Sequence, residues 1–287
     1  MKRIVILVVL VVLAGIAGVV VRSSSSDSGT VAEIRELVSH NASDGDVTTT
    51  IQETYQLAPG ARVELGGFNG SVQIETSDTQ TANIRIERRA SSEEALNRRK
   101  IEIEASANLL RIRAQTVDHN FLAKLFGSKA SETVTLQLPR QISLYAKGVN
   151  GAFVVGEIDG PIEAGGINGK VRVANAAGSA TLKGINGNIV VGLTSVGQDG
   201  VTLSGINGNI ELQLPADVNA DFDARGINGR VMADIPNVVV DKGRRRSYSA
   251  RIGSGGNGIT AKGINGNIRL TRAGAAAPPQ AAESTQN

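Results

Sequence analysis

The tetrapeptide Gly184-Ile185-Asn186-Gly187, continued by Asn188-Ile189, decides the fold, because close copies of it recur through the chain. They stand at Gly67-Phe68-Asn69-Gly70, Gly148-Val149-Asn150-Gly151, Gly166-Ile167-Asn168-Gly169, Gly205-Ile206-Asn207-Gly208, Gly226-Ile227-Asn228-Gly229 and Gly263-Ile264-Asn265-Gly266. A degenerate Gly255-Gly256-Asn257-Gly258 precedes the last. From Gly148 onward the first glycines are spaced by 18, 18, 21, 21 and 37 residues, the last interval being close to two repeats. A fixed period of roughly twenty residues marks a stacked-repeat architecture.

The flanks say what stacks. Two and four positions before the first glycine the side chains are small or apolar: Leu144/Ala146, Ile162/Ala164, Ala180/Leu182, Val201/Leu203, Phe222/Ala224 and Ile259/Ala261. Between or just after them stand Lys147, Glu163, Lys183, Thr202, Arg225 and Lys262. Five and seven positions after that glycine come Val171/Val173, Ile189/Val191, Ile210/Leu212, Val231/Ala233 and Ile268/Leu270, often with charged neighbours such as Arg172, Glu211 and Arg269. Both segments alternate with period two, one face inward and one outward. The inward parity changes across Gly-x-Asn-Gly, as it must where a chain bends, and glycine and asparagine tolerate the backbone conformations a bend requires. The expected fold is all-β: a β-solenoid, β-helix-like, of 18–21-residue repeats with Gly-x-Asn-Gly corners at Asn69, Asn150, Asn168, Asn186, Asn207, Asn228 and Asn265. Strands stacked at about 4.8 Å would share one continuous core, and the asparagines could hydrogen-bond one above another. A run of β-hairpins is the alternative topology, since Asn-Gly is also a strong hairpin signal.

Upstream, Thr48–Leu57, Arg62–Leu65, Ser71–Thr76, Asn83–Arg89, Ile101–Ala105, Leu109–Ala114 and Thr133–Leu138 read as strands. Ser91 and Glu94 at capping-box spacing open a short helical stretch to Lys100, and Thr30 with Glu33 suggests another over Thr30–His40. Phe121–Phe126 is an apolar stretch inside a loop between strands. At the N-terminus, Lys2-Arg3 precedes an uncharged apolar run, Ile4–Val21, of 18 residues, which at 1.5 Å per residue spans about 27 Å. Residues 1–22 are therefore expected to be a transmembrane signal anchor, with the body on the extracytoplasmic side by the positive-inside rule; a cleaved signal peptide is the other reading. The organisation expected is anchor 1–22, linker 23–46 with the short helix, β-strand-repeat domain 47–272, and a disordered tail 273–287 rich in Ala, Pro, Gln and Ser.

Composition narrows function. The chain has no cysteine and two histidines, His40 and His119, so disulfides, thiolate metal sites and cysteine nucleophiles are excluded. Its net charge of +3 with 3% aromatic residues does not suit nucleic-acid binding, which interleaves basic and aromatic side chains. No P-loop, nucleophile-elbow or zinc-protease pattern occurs.

The repeated GINGNI and GINGKV, the stretch GGFNGSVQIE at 66–75 and the stretch LQLPRQISLYAKGVNG at 136–151 resemble the bacterial DUF4097 family, a β-strand-repeat, adhesin-like group related to head-GIN-domain proteins. The resemblance covers about residues 55 to 272 and implies cell-surface binding without naming a ligand, with some relatives associated with envelope stress. It brings no catalytic residues to carry over.

Asp217, Asn219, Asp221 and Asp223 alternate between Pro215 and Gly226 and would share one strand face. Neighbours on such a face lie about 7 Å apart, too far to share one Ca²⁺ compactly, so a solvated face is expected and no metal, cofactor or catalytic residue is assigned. Lys242 with Arg244, Arg245 and Arg246 forms a basic cluster in the longest gap between repeats and is the candidate polyanion contact. Gly253–Gly258 is glycine-rich but is followed by no helix, which argues against phosphate binding. The expectation is a non-enzymatic, membrane-anchored module at the inner membrane, single-pass, meeting a protein, glycan or anionic lipid of the cell envelope. A carbohydrate-active enzyme on a β-helix scaffold is the alternative, and end-to-end filament formation a third reading.

Overall fold

The computed structural model describes residues 35–40, 46–116 and 130–273. The expected membrane segment 1–22, the spacer after it, His119, the Phe121–Phe126 stretch and the tail beyond Ala273 lie outside the described residues. Among the described residues no helix is long and apolar enough to cross a membrane.

The described chain is all-β with one short helix, and it forms two eleven-stranded sheets. Across the first sheet the strands run Arg35–His40, Val47–Gln56, Thr81–Ala90, Ser131–Pro139, Val72–Ser77, Phe153–Ile158, Val171–Ala176, Ile189–Leu193, Ile210–Leu214, Ile268–Arg272 and Val231–Asp234. Across the second they run Asp241–Lys242, Ser247–Ile252, Ala220–Arg225, Asn257–Asn265, Val201–Asn207, Ala180–Asn186, Ile162–Asn168, Ile142–Val149, Ala61–Gly66, Leu109–Thr116 and Arg99–Ser106.

Each repeat gives one strand to each sheet. Ile162–Asn168 lies in the second sheet and Val171–Ala176 in the first, and the next repeat returns to pair alongside. That pairing is parallel and in register, with Ile162 opposite Ala180, Ala164 opposite Leu182, Ile167 opposite Ile185 and Asn168 opposite Asn186. In-register stacking follows from the repeats' own pattern, since a slip of one residue would turn every apolar side chain outward.

The residues expected to face inward are buried, from Leu144 and Ala146 through Ile259 and Ala261, and from Val171 to Leu270 on the other sheet, with Ala233 only half-buried. The second residue of the tetrapeptide joins them: Ile167, Ile185, Ile206, Ile227 and Ile264 form a buried column. Each such side chain contributes about 1.5–3 kcal/mol by leaving water. The change of parity sits at the first glycine. Gly166 and Gly184 have φ of +61° and +60°, and the ladder steps over them, pairing Gly165 with Lys183 and then Ile167 with Ile185. The tetrapeptide thus begins within a strand, at a left-handed glycine that neighbouring repeats share in register, and the change of sheet comes only after its asparagine.

Three features differ from the expectation. The 37-residue interval is not two repeats. It holds the antiparallel strand Ser247–Ile252, which pairs with Ala220–Arg225 and closes the end of the second sheet together with Asp241–Lys242. The final repeat then inserts between its predecessors: Asn257–Asn265 lies between Val201–Asn207 and Ala220–Arg225, and Ile268–Arg272 between Ile210–Leu214 and Val231–Asp234. Secondly, Arg35–His40 is a strand paired antiparallel with Val47–Gln56, where the sequence suggested a helix over Thr30–His40; six residues of ladder satisfy backbone groups that a short isolated helix would leave open. Thirdly, the helix Glu93–Asn97 is capped by Ser92 rather than Ser91, its hydroxyl accepting from the Ala95 N–H at 3.2 Å.

Glu53 is buried, and the hydroxyl of the half-buried Tyr55 donates to its carboxylate. Burial pushes the Glu53 carboxyl above its ordinary range, and the Tyr55 hydrogen bond only partly offsets this. An acid raised in the folded state holds its proton longer there than in the unfolded chain. Its contribution is therefore full below the ordinary glutamate range and is lost as pH climbs from that range through the raised folded value. Glu53→Gln is expected to raise the melting temperature at neutral pH and to leave it nearly unchanged at pH 4. Thermal melts at the two pH values check this, and an equal shift at both contradicts it.

Candidate functional site

The outward side of the second sheet carries three rows of side chains, because outward positions recur at fixed offsets from the first glycine and the strands stack in register. One row runs through Tyr145, Glu163, Thr181, Thr202 and Thr260. The next runs Arg113, Gly66, Lys147, Gly165, Lys183, Ser204, Lys262 and Arg225. The third is the asparagines.

In that third row each Asn Nδ2 donates to the Oδ1 of its neighbour. The bonds run Asn150 to Asn69 at 2.9 Å, Asn168 to Asn150 at 3.0 Å, Asn186 to Asn168 at 3.1 Å and Asn207 to Asn186 at 3.0 Å. Asn265 then donates to Asn207 and Asn228 to Asn265, both at 2.9 Å. The Asn69 amide closes one end on the Ala130 carbonyl at 2.9 Å. All the amides point the same way, an arrangement in which neighbouring bonds polarise one another. Asn188, Asn209 and Asn267 form a second ladder, each side-chain oxygen accepting a backbone N–H of the next repeat in space. Asn168→Ala removes two ladder bonds from a solvent-exposed row and should cost about 1–2 kcal/mol, read as a lower urea midpoint at unchanged slope; no change in midpoint would contradict the ladder.

At one end of the face the second row opens into a shallow groove of about 870 Å³ lined by Arg62, Arg111, Tyr145, Lys147, Glu163 and Lys183 among others. Glu64 is held by Arg111 at 2.6 Å and Arg62 at 2.6 Å. The Arg111 hydrogen bond leads in lowering its carboxyl to about 2, against a smaller opposing effect of burial. The Arg62 guanidinium stacks 3.7 Å from the Tyr145 ring centroid. These arginines are thus spoken for, whereas Lys147, Lys183 and Lys262 are exposed and form no ion pair among the described residues. The sequence had marked all three as outward, but the signal of their common row, a lysine directly before Gly-[Val/Ile]-Asn-Gly in alternate repeats, becomes visible only once the spatial order is known.

The other candidates fall elsewhere. Asp221 and Asp223 face outward on Ala220–Arg225, paired with Arg251 at 3.2 Å and Arg225 at 2.9 Å. The Asn219 side chain accepts from the Ser254 N–H at 2.8 Å, so it serves the loop Gly253–Gly256, while Asp217 lies exposed in the turn before the strand. Lys242, Arg244, Arg245 and Arg246 are all exposed at the antiparallel turn that closes the second sheet. Arg245 and Arg246 take the left-handed conformation there, with φ of 54° and 59°. The Ser247 hydroxyl donates to the Arg244 carbonyl at 2.7 Å and fixes the turn.

No protein-family model and no curated protein matches the chain. Similar solved structures include a proposed cell adhesion protein from Clostridium sporogenes, 14% identical with a TM-score of 0.42, the match covering 77% of this chain and 98% of that one. A proposed lipid binding protein from Parabacteroides distasonis is 12% identical with a TM-score of 0.28, covering 78% and 94% of the two chains. A proposed adhesin from Bacteroides fragilis is 12% identical with a TM-score of 0.30, covering 77% and 96%.

Proposed function

We propose that the chain is a non-enzymatic, adhesin-like module of the cell envelope, a β-solenoid held at the inner membrane by its N-terminal segment and presenting its sheet faces to an envelope component. The observation that carries this reading is the assembly of chain-distant polar side chains into continuous rows across one sheet face. Such a surface recognises an extended partner through many equivalent weak contacts, whereas catalysis needs a few groups converging at one point. The GINGNI and GINGKV motifs support placing the chain with the DUF4097 group, and the uncharged run Ile4–Val21 supports the anchor. The basic turn Lys242–Arg246 provides a second contact for a polyanion or an anionic headgroup.

The test is co-sedimentation of the full chain, kept in non-ionic detergent, with separated membrane and cell-wall fractions at two salt concentrations. Saturable binding to one fraction that weakens at high salt is the expected result. Absence of binding to either overturns the reading.

A further inference from the structure

We infer that the row containing Lys147, Lys183 and Lys262 is a binding track for an acidic polysaccharide that carries one anionic group on every second sugar. The inference rests on the envelope-module reading above and names the partner class for one of its faces.

The argument is one of spacing. Lys147 and Lys183 are separated by the single strand bearing Gly165, and Lys183 and Lys262 by the single strand bearing Ser204. Two strand spacings make about 9.5 Å between the backbones that carry successive lysines, a step that an extended glycan with one acid per disaccharide repeats along its length. Between the lysines the side chains are small: Gly165 lies between Lys147 and Lys183 and Ser204 between Lys183 and Lys262, with Gly66 on the outer side of Lys147. The fold does not demand the glycine at 66. Its φ is not positive, and an added Cβ would meet only the Lys147 carbonyl at 3.5 Å and an Arg113 methylene at 4.0 Å. A side chain would fit there, and its absence leaves a flat seat beside Lys147; at Gly165 an added Cβ would lie 3.1 Å from the Lys183 carbonyl oxygen, so close strand approach itself favours glycine between the first two lysines. Alongside lie the half-buried threonines Thr181, Thr202 and Thr260. Their hydroxyls are the hydrogen-bonding groups that a sugar chain uses once its charges are placed. Glu163 stands in that neighbouring row without an ion pair among the described residues and opposes an anion there. The asparagine amides are committed to one another, so the lysines are the groups free to take a partner's charge.

The experiment measures binding of the full chain in detergent to hyaluronan oligosaccharides, which carry one carboxylate per disaccharide, with dextran as the neutral control and inorganic polyphosphate as the non-glycan polyanion. Binding to hyaluronan, absent for dextran, should fall about fivefold for Lys183→Gln and on the order of a hundredfold for the triple change Lys147→Gln, Lys183→Gln and Lys262→Gln. The triple arginine variant should retain it, and Glu163→Gln should tighten it. Circular dichroism verifies that these exposed substitutions leave the sheets intact. Wild-type indifference to hyaluronan, an unaffected triple glutamine variant, or tighter binding to polyphosphate than to hyaluronan would each overturn the inference. If the triple glutamine variant still co-sediments with an envelope fraction, the track is wrong while the envelope reading stands; if even the wild type sediments with none, the envelope reading itself fails.

Discussion

Gly187→Ala is expected to destabilise the protein by roughly 3 kcal/mol or more, a larger loss than the same change at Gly184, three residues away. At Gly187 the φ is +157°, and a Cβ would sit 2.1 Å from the Gly169 carbonyl oxygen and 2.6 Å from its carbon. The obstacle is backbone, and that backbone is pinned, since the Gly169 N–H donates to the Asn186 carbonyl and the Gly187 N–H to that of Asn207, each at 3.0 Å. The chain cannot withdraw without opening the ladder on both sides. Gly184 has a φ of +60° but its Cβ would meet nothing nearer than 3.7 Å, so alanine there costs only the left-handed conformation, about 1–2 kcal/mol. Urea unfolding of the two variants checks the order. Equal losses would mean that close approach of the repeats is not what keeps glycine at the fourth position.

Glu132→Ala should cost about 3–5 kcal/mol. The Glu132 side chain is fully buried, and it accepts from the Asn69 backbone N–H at 2.8 Å and from Arg99, whose side chain is itself only 15% exposed. Arg99 also donates to the Gly67 carbonyl and to Thr116 at 3.1 Å. This cluster is where the asparagine ladder begins, so truncating the carboxylate strands a guanidinium and a backbone N–H together. A double variant, Arg99→Met with Glu132→Leu, removes both charges and should recover the part of the loss that comes from the unpaired guanidinium, the Asn69 N–H still lacking its acceptor. A mild effect of Glu132→Ala alone would show that the ladder end tolerates an unpaired cation.

Much of this architecture is legible in the sequence. Period-two alternation around each Gly-x-Asn-Gly identifies the inward pairs, and residues such as Leu182, Leu203 and Ile210 are buried as that alternation requires. Two things escape it. The burial of Ile185 and its equivalents depends on the left-handed conformation of the preceding glycine, which a local pattern does not locate to the residue. The insertion of Asn257–Asn265 between two earlier strands is a choice of pairing partner, and periodicity fixes which faces are apolar without fixing the order in which similar faces stack. The residues 227–252 mislead for the same reason: an interval near two periods can hold an antiparallel closing strand as readily as a repeat. The candidate surface inherits this limit, since the lysines are readable singly as outward residues while their common row depends on the spatial order.

That order is the claim on which the assembled face rests, and spin labels test it directly in a chain that has no native cysteine. Labels at Ser204→Cys and Lys262→Cys would sit on adjacent strands, and labels at Ser204→Cys and Arg225→Cys two strands apart, about 4.8 and 9.6 Å between backbones. Stronger dipolar broadening for the 204/262 pair is the expected result. Stronger broadening for the 204/225 pair would place the repeats in simple chain order and contradict the inserted final repeat.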